Sequence, residues 1–120
     1  MKGYLKLLEE IFGKENIQHD IEINELGADF NRIFMASIIP ERIARALKLY
    51  YQIEPSSKGA LCKSYKDVGN EIENLNFNKH PRYGRTLTRE RTRQMVDRGR
   101  RLLRRPSRCK LLEKYLITTQ

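Results

Sequence analysis

The sequence predicts an all-α fold, a small multi-helix domain, and three observations carry that expectation. Apolar residues recur every three or four positions in segment after segment. No segment keeps the apolar–polar alternation of a half-buried strand. Clusters rich in Pro, Gly, Asn and Ser separate the periodic segments. The chain has 120 residues, the size of one ordinary domain, which can bury a modest core. With 39% hydrophobic and 32% charged residues, the composition suits a globular protein rather than a disordered one.

The elements follow in order. In "YLKLLEEIF", residues 4–12, Leu5, Leu8, Ile11 and Phe12 fall at helical spacing, and Gly13 is a stop. Asn24 is the expected N-cap of a second helix, with Leu26, Phe30, Ile33 and Phe34 along one face. Ser37 is expected to cap a third, with Pro40 in its first turn and a stripe of Ile39, Ile43, Ala46, Leu47 and Tyr50. "EPSSKG" breaks that helix. Ser64 then caps "YKDVGNEIENL", where Tyr65, Val68, Ile72 and Leu75 repeat at three and four. "NFNKHPRYGR" reads as a loop. Thr88 opens an arginine-rich helix that Pro106 ends, and Ser107 can cap a last short helix carrying Leu111, Leu112, Tyr115 and Leu116.

Charge is unevenly spread. The net charge is +9, yet residues 82–110 alone hold twelve basic and two acidic residues, whereas the rest of the chain is close to neutral. A basic patch on a balanced domain points to nucleic acid or an acidic surface. Other classes are disfavoured. No apolar run approaches the roughly 18–20 residues of a membrane span, and the N-terminus lacks the pattern of a secretory signal. Cys62 and Cys109 lie far apart and suggest two reduced thiols in the cytoplasm rather than a metal site. No paired carboxylates, Cys/His set or phosphate loop suggests an enzyme, and no cofactor, metal or small-molecule ligand is expected.

The stretch "LTRERTRQMVDRGRRLLRRPSRCK", residues 87–110, decides between a sticky tail and a reading device. At 100° per residue, Thr92, Met95, Val96, Gly99, Leu102 and Leu103 form one continuous stripe. A disordered tail has no reason to keep one. Gly99 costs about 1 kcal/mol against alanine in a helix interior, which packing of the stripe must offset. The preceding helix is short and amphipathic, with Gly69 near its middle. Two short helices, the second presenting Arg, Glu and Gln near its start, form the helix-turn-helix pattern, whose second helix enters the major groove. Arg can donate bidentately to guanine, Gln can pair with adenine, and Glu can accept from cytosine. Glu90 also has a second reading, as an acid that favours the helix dipole.

"LTRERTRQ" followed by "RRPSRCKLLEKYL" resembles the fourth conserved region of the sigma-70 family, the promoter-specificity subunits of bacterial RNA polymerase. Upstream, "IIPERIARALKLYYQIEPSSKGALCKSYKDVGNEI" resembles the first half of that region, so the likeness covers residues 37–118. The resemblance implies a helix-turn-helix that reads the −35 promoter element. Bases would be read by Arg89, Glu90, Arg93 and Gln94, with backbone support from Ser64, Thr88, Arg91 and Arg98. It further implies docking on the flap of the polymerase β subunit. Polymerase or an activator would meet the basic C-terminal part, here Arg100, Arg101, Arg104, Arg105 and Arg108, and a partner sigma subunit is a further candidate partner. The expected location is the cytoplasm, on the nucleoid.

Three departures qualify the likeness. Helix-turn-helix turns are about three or four residues long, but residues 73–85 form an insertion between the two helices. It either lengthens the first helix and brings Lys79, Arg82 and Arg85 to phosphates, or is a solvated loop. Thr92 stands where the family usually has Ile, which is expected to weaken one core contact. No segment resembles the regions that bind core polymerase strongly or melt the −10 element. The expected organisation is a helical segment of unassigned role over residues 1–36 and the region-4-like domain over 37–120. The alternative function is a protein-interaction module for polymerase or a partner sigma subunit, with DNA contact secondary.

Overall fold

The computed structural model describes residues 2–36, 39–72, 87–105 and 110–117. The chain runs α1 (Lys2–Phe12), a 3₁₀ turn (Lys14–Asn16), α2 (Ile23–Met35), α3 (Glu41–Tyr50), α4 (Tyr65–Glu71), α5 (Arg89–Leu103) and a 3₁₀ segment (Lys110–Tyr115). The fold is all-α. Among the described residues the only β pairing is an isolated antiparallel bridge between Ile17 and Leu116.

Each helix follows its apolar stripe, with local corrections. α1 buries Tyr4, Leu7, Leu8 and Ile11, so its core face is turned from the expected one and leaves Leu5 and Phe12 half-buried. Glu22, not Asn24, caps α2. Its carboxylate accepts from the backbone N–H of Asn24 at 3.2 Å and of Glu25 at 2.9 Å, which places an acid where the helix dipole favours it. Leu26, Phe30, Ile33 and Phe34 are buried as their spacing predicts. α3 starts one residue after Pro40, which is its N-cap rather than part of its first turn. Ser37, its expected cap, lies outside the described residues. Ile39, Ile43, Ala46 and Leu47 are buried, and Tyr50 is half-buried. α4 ends at Glu71, because Ile72 turns to an extended conformation while remaining buried. The helix ends before the insertion, and residues 73–86, with Leu75 among them, lie outside the described ones. The same holds for Pro106 and Ser107. In the last segment Leu112 and Tyr115 are buried, but Leu111 is exposed.

The division expected at residue 36 does not separate two cores. Residues of α1 and α2 share one buried cluster with α3, α4, α5 and the C-terminal segment. Tyr4 stacks on Phe30 at 5.6 Å, and α1 also meets α5. A second tie joins α2 to the C-terminal segment. Asp29, only 2% exposed, accepts from the Tyr115 hydroxyl and from Lys114 Nζ at 2.8 Å, with Arg32 at 3.5 Å. Burial pushes the Asp29 carboxyl up, but those hydrogen bonds and the charges of Lys114 and Arg32 outweigh it and hold it below its ordinary 3.8. A depressed carboxylate stabilises the fold above its unfolded pKa and loses that contribution as pH falls through the folded value. Asp29→Asn should therefore melt at lower temperature than wild type at neutral pH. The gap should close as pH drops below about 4, as thermal melts from neutral to acid pH would record.

Candidate nucleic-acid interface

The candidate site is built from two capped helices and the joint between them. Ser64 Oγ accepts from the Asp67 backbone N–H at 3.2 Å, and Asp67 reaches back to accept from Lys63 N–H at 3.0 Å. The two bonds hold the start of α4, although the acid reaches the residue before the cap and not the cap itself as in a capping box. Thr88 Oγ1 accepts from Arg91 N–H at 3.1 Å and so caps α5. Both hydroxyls were expected to support a nucleic-acid backbone. Each accepts its cap bond through oxygen and keeps its own O–H as a donor.

The joint explains how α4 and α5 stay paired across the insertion. The chain returns at Leu87, whose N–H donates to the Gly69 carbonyl at 3.1 Å. A Cβ on Gly69 would stand 2.6 Å from the Leu87 carbonyl oxygen and 2.7 Å from Thr92 Oγ1. Only glycine allows the helices this close. Thr92 is fully buried, and its hydroxyl donates to the Thr88 carbonyl at 2.9 Å. The weakened contact expected at Thr92 is thus a remade one, with a small polar side chain satisfied by its own helix. On the other side Gly99 lies against α3, where a Cβ would meet Leu47 Cδ1 at 2.7 Å and Ile43 Cγ2 at 2.9 Å. Met95, Val96 and Leu103 are buried with it, and Leu102 is half-buried, so the stripe read from the sequence is the packed face.

The exposed face of α5 carries the expected base-reading residues. Arg89, Glu90, Arg93 and Gln94 are all exposed. Glu90 is their hub. Arg93 forks onto it, with Nε at 3.1 Å and a terminal nitrogen at 2.7 Å, and Gln94 Nε2 donates to it at 3.3 Å. Arg91 donates to Gln94 Oε1 at 3.5 Å. The Arg93 hydrogen bond holds the Glu90 carboxyl below its usual range and raises the Arg93 guanidinium above its own. Both groups are charged at neutral pH. Because the pair is solvent-exposed, it is a weak bond that a base or phosphate can replace.

The second half of the helix departs from expectation. Arg100 and Arg104, placed by the resemblance among partner-facing residues, both reach α1, Arg100 half-buried and Arg104 still exposed. Arg100 meets Glu10 at 3.2 Å and Asp97 at 3.1 Å. Arg104 donates to the carbonyls of Ile11 at 2.8 Å and Glu10 at 3.3 Å, the free acceptors at the end of α1. Glu10 also accepts from the Tyr51 hydroxyl. Burial first, then that bond, drives the Tyr51 phenol well above its normal range. Beside it Tyr50 and Tyr65 stack at 4.5 Å. The Glu10–Arg100 link had no local sign in the sequence, since its members are ninety positions apart. Arg101 and Arg105 are exposed, as Arg104 is. Lys79, Arg82, Arg85 and Arg108 lie outside the described residues.

Among the described residues no three His, Cys, Asp or Glu side chains gather where a metal ion could be held. No helix among them is long and apolar enough to cross a membrane. The chain matches no protein-family model, no curated protein and no solved structure.

Proposed function

We propose that this chain is a sequence-specific DNA-binding transcription protein resembling the fourth conserved region of sigma factors. In this reading α5 enters the major groove of a −35-like promoter element, and the chain works with RNA polymerase through the flap of its β subunit, on the nucleoid. One observation carries it. Arg89, Glu90, Arg93 and Gln94 stand together on the open first half of a capped helix, and a second capped helix braces that helix through Gly69 and Thr92. These residue types match guanine, cytosine and adenine edges. A carboxylate repels phosphate, yet Glu90, in the first turn of α5 where it also favours the helix dipole, is the group on which Arg93 and Gln94 converge.

The test is equilibrium binding of two duplexes at one salt concentration, one with a −35-like hexamer and one scrambled. The hexamer should bind tighter by about tenfold or more, since a single good bidentate pair discriminates by about 1–3 kcal/mol. Equal affinities would sink the reading. Tight polymerase binding alongside them would favour the protein-interaction alternative. In the same titrations log K against log salt should fall with a slope near −4 to −5, the value for about five phosphates.

A further inference from the structure

A relay of ion pairs runs from α1 to the reading face, and Arg93 stands at its far end. Arg93 is shared between two acids, Glu90 at 2.7 Å and Asp97 at 3.6 Å. Asp97 meets Arg100 through Oδ1 at 3.1 Å, while its Oδ2 meets both Arg93 at 3.6 Å and Arg101 at 3.7 Å. Arg100 gives one terminal nitrogen to Asp97 and the other to Glu10 at 3.2 Å. Its Nε is buried and has no hydrogen-bond partner among the described residues. The Arg100 fork is thus spread over two carboxylates, although a planar guanidinium matches one carboxylate bidentately.

Glu10 is what holds that fork open. α1 is pressed against the end of α3, where a Cβ on Gly3 would collide with the Tyr51 carbonyl oxygen. The buried Tyr51 side chain donates its hydroxyl to Glu10 Oε2, the same oxygen that Arg100 meets. Glu10 is therefore fixed from behind. The Arg100 and Glu10 side chains are 18% and 35% exposed, against 46% and 62% for Arg93 and Glu90. The α1 end of the relay is the better shielded from water and salt, and the reading end is the softer one. Without the charge of Glu10, nothing draws Arg100 away from Asp97. Its fork then closes on Asp97 and displaces Arg93 from Oδ2. Arg93 is left with Glu90 alone, and the bond that a base edge must replace tightens. We propose that Glu10 is a positioning residue for sequence reading, which acts through Arg100 and Asp97 to keep Arg93 divided between two acids and ready to leave Glu90 for a base. This rests on the DNA-binding reading above. It gives a task to a residue outside 37–118, the stretch that carries the resemblance.

The experiment uses the full chain. It measures affinity for the −35-like and scrambled duplexes at one salt concentration, and follows the Arg93 Nε–H resonance by NMR without DNA. Glu10→Gln keeps the shape of the side chain and removes its charge. The ratio of the two affinities should fall by about two- to fivefold, the effect of a partly exposed ion pair, and the Arg93 resonance should shift. Glu9→Gln removes the same charge one residue away and enters none of these pairs. It should change both affinities alike and leave the ratio and the resonance unmoved. In an Arg93→Ala background Glu10→Gln should lower the ratio no further, because the relay ends at Arg93. Circular dichroism reports folding. Should Glu10→Gln unfold, Tyr51→Phe, which leaves every charge in place but releases Glu10, should lower the ratio instead. An unchanged ratio in the folded variant overturns the proposal and makes the α1–α5 link a matter of stability alone. So does an unmoved Arg93 resonance, an equal fall for Glu9→Gln, or a fall that persists undiminished in the Arg93→Ala background. Failure of the DNA-binding reading shows separately, as equal binding of both duplexes by wild type, and the proposal then falls with it.

Discussion

Arg93→Ala should weaken binding to a −35-like duplex by about 1–3 kcal/mol, roughly 5- to 150-fold, and relax the preference at the base it reads. The scrambled duplex should lose far less. Two effects add in that variant. The bidentate donor to a base edge disappears, and Glu90 loses the fork that neutralises it at 2.7 Å and 3.1 Å. The freed carboxylate then faces the DNA with its charge uncompensated. Glu90→Gln separates the two. Removing the negative charge should raise affinity for the scrambled duplex while narrowing the gap between the duplexes. Anisotropy titrations of both variants measure this. A uniform loss on both duplexes for Arg93→Ala would make Arg93 a phosphate contact instead of a reader.

Gly69→Val should cost about 3 kcal/mol of stability, the upper part of the range for overpacking a tight interface, and lower the melting temperature by about 10 °C or more. Valine's better helix propensity returns only a few tenths of that. The obstacle is the Leu87 carbonyl oxygen, 2.6 Å from where the first added carbon would sit, and it is backbone rather than a movable side-chain tip. Relief requires α5 to move away from α4, which also breaks the bond from Leu87 N–H to the Gly69 carbonyl. DNA discrimination should fall further than the folded fraction alone explains. Melting curves with titrations below the transition give both numbers. A variant that melts like wild type and still discriminates would mean that the α4–α5 joint does not position the reading helix.

The contrast between what the sequence revealed and what it hid has a physical pattern. Features set by short-range periodicity were legible: the stripe Thr92, Met95, Val96, Gly99 and Leu103 is buried, and Ser64 and Thr88 cap their helices. Cap positions were harder where an unusual residue serves, as Glu22 and Pro40 do. Long-range electrostatics was not legible. An arginine reads the same in a sequence whether it meets water, a phosphate or a distant carboxylate. Arg100 and Arg104 looked like their neighbours Arg101 and Arg105 until the fold brought Glu10 and the end of α1 beside them. The role of residues 1–36 was hidden for the same reason, because α1 supplies the acceptors that hold the second half of α5. Gly69 and Gly99 were visible as glycines inside helices, but the neighbours that require them came only with the packing.

The central claim is that α5 reads sequence. Selection of bound duplexes from a random pool by the purified chain, repeated with polymerase and with Arg93→Ala, tests it most directly. Wild type should enrich a short motif with defined guanine, cytosine and adenine positions, sharpened by polymerase and blurred at one position by Arg93→Ala. A pool that wild type retains without enriching any motif, with or without polymerase, would contradict the account and leave α5 as a binder of phosphate alone.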